Sequence, residues 1–318
     1  MDTKRLDRPS STDRAWSHRA SLATFAALVC LIVVPAASAK PGGGGTGGTL
    51  KINAGSLYTS VTAVTINSSM SGVTQMRFSN GGGVYTAWEP YSTTKAWTLL
   101  AGEGAKTISG QYKSNGKATL RTASISLDTT SPTLATLTSS SHLDEAFWYP
   151  SGDVTMEWTA AADVSGVTGY SWALDANAAT DPDMVSKGSS TTATVSGLAD
   201  GVWYFHVRAR DAAGNWGNAI HRTVRIDTTT PATTDNSDGL PHTLVTLVFS
   251  SADSLSGVVA TEWRIDGGDW TSGASVTLRR SVRHKRGDLL PGTHIVDYRS
   301  IDASGNVEAY KTCSVTIQ

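Results

Sequence analysis

One phrase, repeated along the chain, limits the folds open to it more than any other feature. Its fullest copy runs from Gly201 to Asn215, where Trp203, Phe205, Val207 and Ala209 alternate with Tyr204, His206, Arg208 and Arg210. A period of two puts one apolar row on a buried sheet face and a polar row, His206 included, toward solvent. The strand closes in Asp211-Ala212-Ala213-Gly214-Asn215, where an aspartate can cap backbone amides and Gly214 or Asn215 can take the positive φ of a tight turn. Gly292 to Asn306 repeats the phrase with its glycines at the same spacing, and Gly104 to Lys117 is a worn copy one residue shorter. Upstream of each copy lies a second shared phrase: Ser71-Gly72-Val73, Ser165-Gly166-Val167 and Ser256-Gly257-Val258. Two landmarks at a nearly constant separation predict three tandem domains. Between them, short alternating runs broken by Gly, Ser and Thr predict an all-β chain of sandwiches.

The first 39 residues read as a signal peptide: five basic residues precede an apolar run from Leu22 to Val34, and Pro35 to Ala39 ends in a small-x-small pattern. Cleavage is expected after Ala39, because the run is short for a bilayer span of roughly 20 residues. A glycine-rich linker over 40–49 follows, then domains over 50–131, 132–230 and 231–318. The two internal boundaries share a phrase: Asp128-Thr129-Thr130-Ser131-Pro132 and Asp227-Thr228-Thr229-Thr230-Pro231. Proline favours an extended residue before it, which predicts short, stiff joints. No second long apolar segment and no wall-sorting motif is seen, so a secreted or surface-retained protein is expected, with no transmembrane segment after cleavage.

The 26 basic and 27 acidic residues nearly cancel, which argues against a nucleic-acid partner. Of the two cysteines, Cys30 lies in the leader, so Cys313 alone remains and no intrachain disulfide is expected. Nucleophile elbows, metalloprotease helices and Cys/His clusters are missing, which points to no catalysis and no cofactor. His142, His206, His221, His242, His284 and His294 read as isolated surface or packing residues, and no metal ligand is assigned. Three acidic turns are candidates for calcium: Asp211 with Asn215, Asp302 with Asn306, and Asp235 to Gly239. None has the spacing of a helix-loop-helix calcium loop, and all suit ordinary turns.

The sharpest charge feature is Arg279-Arg280-Ser281-Val282-Arg283-His284-Lys285-Arg286-Gly287-Asp288, expected as an edge strand followed by a long loop. Arg279, Arg280, Arg283 and Arg286 are the candidate anion-binding residues, for a cell-envelope polymer or acidic glycan. Arg286-Gly287-Asp288 also has the form of an integrin tripeptide. The alternative is a solvated loop whose charge protects a strand edge. Phe147-Trp148-Tyr149-Pro150 with Tyr85, Trp88, Tyr91 and Trp97 offers a second candidate, a carbohydrate platform, against the alternative of core or cap packing.

These residues resemble the immunoglobulin-like and fibronectin type III-like repeats of secreted bacterial and archaeal surface proteins. Leu198-Ala199-Asp200-Gly201 leading into Trp203 is similar to the type III approach to its sixth strand, with Trp203 where that family usually carries a tyrosine; His294 takes the same place in the third domain. Thr261 to Trp270 with Tyr298 to Glu308 resembles the immunoglobulin-like repeat of spirochaetal outer-membrane β domains. The resemblance implies tandem immunoglobulin-like β-sandwiches with a structural or adhesive role and a glycan, envelope polymer or protein as partner. Its alternatives are a glycan-binding module or the accessory stalk of an exported enzyme.

Overall fold

The computed structural model describes residues 47–280 and 289–318. The expected leader and the center of the basic loop lie outside them. The described chain is three tandem β-sandwiches of immunoglobulin and fibronectin type III type, each with a three-stranded sheet facing a larger one. In the first, Gly48–Ile52, Ala63–Met70 and Thr94–Thr98 face a five-stranded sheet built on Gln75–Asn80, Gly104–Ser114 and Lys117–Leu127. The second sets Leu137–Ser139, Val154–Trp158 and Thr192–Val195 against Val167–Asp175, Gly201–Asp211 and Ile220–Ile226, with Trp148–Tyr149 at the edge. The third sets Ala232–Asp235, Leu244–Ala252 and Ser275–Arg279 against Val258–Ile265, Gly292–Asp302 and Lys311–Ile317.

Alternation makes each core. Leu247 and Phe249 point inward from one strand and Val276 and Leu278 from its neighbour, meeting Val296, Tyr298 and Val315 of the other sheet. Phe78, Ile108 and Tyr112 hold the corresponding place in the first sandwich, and Trp158, Phe205 and Val207 in the second. Burying one such large side chain contributes on the order of 2 kcal/mol. Cys313 is itself a core residue, its thiol pushed up to about 11 by burial.

A two-residue strand runs parallel to the end of each final strand, pairing Tyr58 with Ser126, Trp148 with Arg225 and Pro241 with Thr316. The residue just past that strand is thereby fixed: the Asp128 amide donates to Thr59 and the Asp227 amide to Tyr149. Linker threonines are held from the preceding sandwich. Asp200 accepts from the Thr228 amide at 2.8 Å and from the Thr229 hydroxyl at 2.6 Å, and Glu103 accepts from the Thr129 amide at 3.0 Å.

The strand-entry hydrogen bond survives three changes of donor. Trp203 Nε1 donates to the Ala199 carbonyl at 2.9 Å, His294 Nε2 lies 2.8 Å from the Leu290 carbonyl, and Lys106 Nζ reaches Ala101 at 3.3 Å. Indole, imidazole and ammonium each do what a tyrosine hydroxyl does at such a corner. The worn copy also has a physical reason. Asn115 and Gly116 both take positive φ, 48° and 79°, the two-residue turn that pairs Ser114 with Lys117 directly. That turn needs no capping aspartate.

His206 departs from the solvent row expected for it: it is 0% exposed. It lies opposite His221 in the ladder, the two Nδ1 atoms 2.6 Å apart, with Asp175 3.4 Å from its other nitrogen. The stretch between Asp175 and Thr192 covers this outer face, bonded through Asp183 to Ser171 and through Lys187 and Gly188 to Tyr170. The alternation rule assumes one wet face, and at His206 the outer face is covered as well.

Candidate functional site

The basic loop is described only at its margins. Arg279 ends the edge strand opposite Leu244, and Arg280 bridges to Leu289 while its amide donates to Thr243. The expected edge strand is present. Arg283 and Arg286, with the Arg286-Gly287-Asp288 tripeptide, fall outside the described residues.

The candidate sugar platform does not assemble as a row of free rings. Of its seven aromatics only Phe147 is exposed. Trp97 packs on Phe78 and donates to Asn80, while the Tyr91 hydroxyl accepts from the Met70 amide. Trp88 lies under Arg77, 4.5 Å from guanidinium carbon to ring centroid, and Arg77 also covers Tyr85. Trp148 faces Arg225. Trp270 is stacked by both Arg264 and Arg299, at 4.7 and 4.3 Å. A guanidinium on a ring face takes the surface on which a sugar would stack.

Carboxylates converge at both joints between sandwiches. At the first, Asp128 from the linker, Asp163 ahead of the Ser-Gly-Val phrase and Asp211 from the capping turn bring one oxygen each to within 4.8 Å of one another. Asp227, Asp253 and Asp302 do the same at the second. In each set the linker and turn aspartates are buried and the middle one is half-buried. Of the candidate calcium turns, Asp211 and Asp302 belong to these sets. Asp235 is committed elsewhere, accepting from Ser237 and from the Tyr298 hydroxyl at 2.6 Å, and Asp238 takes Leu240 and His242.

The turn builds most of this geometry. Asp302 Oδ1 accepts from the amides of Ser304, Gly305 and Asn306 at 2.8 to 3.0 Å, and Asp211 Oδ1 from those of Gly214 and Asn215 at 2.6 and 2.8 Å. Gly214 and Gly305 supply the positive φ, 102° and 96°. The turn's asparagine then reaches across the joint: Asn215 Nδ2 donates to the Asp128 carbonyl and Asn306 Nδ2 to that of Asp227, both at 2.8 Å. Sequence reasoning found the turn aspartates and missed Asp128, Asp163, Asp227 and Asp253. The available signal was an aspartate heading both linker phrases and another shortly before Ser165 and Ser256.

Three carboxylates this close repel. At an effective dielectric near 20, two charged carboxylates 4.8 Å apart would oppose each other by about 3.5 kcal/mol. Asp128 meets this with hydrogen bonds, the Thr130 pair on Oδ1 foremost and Ser165 and Asp163 beside it. Burial pushes its carboxyl up, and the Thr130 hydroxyl and amide on Oδ1, at 2.6 and 3.1 Å, outweigh that and hold it below the usual carboxylate range. Its Oδ2 is buried without a hydrogen-bond partner.

No family model matches the chain. Over 161 residues it is 32% identical to chitinase A1 of Niallia circulans, covering 49% of this chain and 22% of that protein's length. Among solved structures it is similar to the fibronectin(III)-like modules of Clostridium thermocellum CbhA, at 13% identity and a TM-score of 0.32 over 57% of this chain and 94% of theirs. It is also similar to three N-terminal domains of the highly immunogenic outer capsid protein of bacteriophage RB49, at 11% identity and a TM-score of 0.35 over 86% and 99%. No helix among the described residues is long and apolar enough to cross a membrane.

Proposed function

We propose that this chain is a non-catalytic structural segment of an exported protein, working outside the cell or at its surface. Its sandwiches hold what lies at either end at a set spacing and orientation. The observation that carries this reading is the stitching of both joints. Side chains of one sandwich bond to the backbone leaving the previous one, through Asn215 and Asp128 and through Asn306 and Asp227. A flexible tether would leave those carbonyls to water. The leader over 1–39 and the boundaries near 131 and 230 belong to the same proposal.

An accessory role beside a glycan-active enzyme is the second reading, favoured by the stretch shared with chitinase A1. On that reading Arg279, Arg280, Arg283 and Arg286 form the contact to an acidic polymer. Small-angle scattering tests the first reading. The native chain should give one narrow distance distribution, and about eight Gly/Ser residues inserted after Thr130 should broaden it; identical curves would refute a stitched joint. Pull-down on chitin and on insoluble wall material tests the second, with retention lost when the four arginines become alanine.

A further inference from the structure

We propose that each joint between sandwiches binds one divalent cation of calcium's class, through Asp128, Asp163 and Asp211 at the first and Asp227, Asp253 and Asp302 at the second. This goes beyond the spacer reading and stands or falls separately from it. Three observations carry it. The first is distance: a cation that takes oxygens at 2.3–2.6 Å brings its ligands within roughly 5 Å of one another, and these oxygens lie within 4.8 Å. The donor set, carboxylate oxygen without nitrogen or sulfur, suits a hard ion.

The second observation is the orphan oxygen. Asp128 is 5% exposed and lends an oxygen to the cluster, yet its Oδ2 has no donor. Buried carboxylate oxygens are ordinarily satisfied by a hydrogen bond or a metal. A cation would satisfy this one and cancel the repulsion among the three acids at once. At the second joint the Ser256 hydroxyl is likewise buried without a partner, beside an amide that donates to Asp227 at 3.0 Å.

The third is recurrence. The full set of three aspartates appears at both joints, where one sandwich follows another. The first sandwich follows the glycine-rich segment instead, and its corresponding turn carries Ser114 and a two-residue hairpin in place of the capping aspartate. An aspartate needed only to cap the turn would have no reason to meet two others at each joint. The half-buried Asp163 and Asp253 leave each cluster a side open to solvent by which an ion enters.

The test is calorimetric titration of the EGTA-stripped chain with calcium chloride, magnesium chloride serving as competitor. Two saturable sites with dissociation constants of about 10⁻⁴–10⁻³ M are expected, the range of extracellular modules. Asp163→Asn should weaken one site by at least roughly tenfold and Asp253→Asn the other, while both variants keep the buried aspartates in place. Magnesium, which demands stricter geometry, should compete at least about tenfold less well. No saturable uptake up to about 10 mM calcium, or uptake unchanged in both variants, would overturn the proposal, and equal competition by magnesium would overturn the assignment to calcium's class. The unaltered chain supplies a check free of folding defects: its unfolding midpoint should rise with calcium and not with sodium chloride of equal ionic strength, and a flat midpoint counts against the sites.

Discussion

The two joints share three aspartates and an asparagine but tie their sandwiches together to different degrees. At the second, Ser256 donates its amide to Asp227 Oδ2, the Ser304 hydroxyl donates to the Asp227 carbonyl, and Asn306 reaches the carbonyls of both Asp227 and Thr229. The first joint has Asn215 on the Asp128 carbonyl and leaves Asp128 Oδ2 unsatisfied. Two small sequence differences account for this. Ala213 stands where the later turn has Ser304, so one hydroxyl is missing. The loop from Asp163 to Gly166 is one residue shorter than that from Asp253 to Gly257, and it turns the Ser165 amide back onto Asp163 at 2.8 Å. In the longer loop Leu255 and Gly257 cap Asp253, which frees the Ser256 amide for the linker. The linker aspartate's Oδ2 thus has a protein donor at the second joint and none at the first.

The largest contrast should come from the residues two past each asparagine. Glu308, buried, accepts from the Thr233 amide at 3.0 Å and the Ser300 amide at 3.3 Å and pairs with Lys311. Its counterpart Gly217 holds nothing, and a methyl group there would meet the Pro132 carbonyl oxygen at 2.2 Å. Glu308→Ala strands two donors, and a loss of about 3 kcal/mol in the third sandwich is expected. Gly217→Ala overpacks the second by about 2 kcal/mol. Urea unfolding with tryptophan and circular-dichroism probes, fitted as separate transitions because tandem domains are not one two-state unit, measures both. Equal effects on both transitions would mean that the sandwiches do not unfold as separate units.

The asparagines come next. Asn306→Ala removes bonds to two linker carbonyls and should cost about 2 kcal/mol, against about 1 kcal/mol for Asn215→Ala, which removes one. The same unfolding experiment reads the difference. If the order is reversed, the first joint depends on Asn215 more than its hydrogen bonds indicate.

A cation sharpens the contrast in the opposite sense. At ten times its dissociation constant, an ion stabilises a site by about 1.4 kcal/mol. The orphaned Asp128 oxygen makes the first joint the more dependent of the two. Chelation should therefore speed proteolytic cleavage within 128–133 more than within 227–232, as mass spectrometry of a timed digest would show. Equal acceleration at both joints would mean that the Ser256 amide does not lessen the second joint's dependence on the ion.

Most of the fold was legible because its signals are local. The alternation of Trp203, Phe205, Val207 and Ala209 places a strand wherever it occurs, and the copy at Gly292 places another. The joint was not legible, since its three aspartates come from a linker, a loop and a turn that meet only when one sandwich is stacked on the next. Asp211 and Asp302 drew notice as turn formers, while Asp128 and Asp227 passed as linker residues. His206 failed for the same kind of reason: its strand pattern describes one sheet face, and the stretch between Asp175 and Thr192 that buries the other has no periodic signature.

The smallest effect separates the second and third sandwiches by pH. Burial holds His206 below the usual imidazole range despite Asp175 beside it, and burial does the same to His142, with Arg222 adding to it. A histidine with a lowered folded pKa contributes stability that is complete above its unfolded value near 6.5 and is lost as pH falls below it. His294 runs the other way. Burial opposes its charge, but Asp266 at 2.7 Å and the Leu290 carbonyl prevail and raise it, so its contribution is complete below about 6.5 and fades as pH rises through the raised value. Asp266, itself held low by His294 and the Ile295 amide against the effect of burial, stays charged until the solution is more acidic than an ordinary carboxyl requires. Between about pH 6.5 and pH 4 the second sandwich should therefore weaken while the third keeps its pair. Amide hydrogen exchange at pH 7 and pH 5, corrected for intrinsic rates, should show protection falling on Gly201–Asp211 and holding on Gly292–Asp302. Replacing His206 with an apolar residue should shrink the fall and leave the part that His142 contributes, because the buried imidazole of that strand would no longer take up a proton.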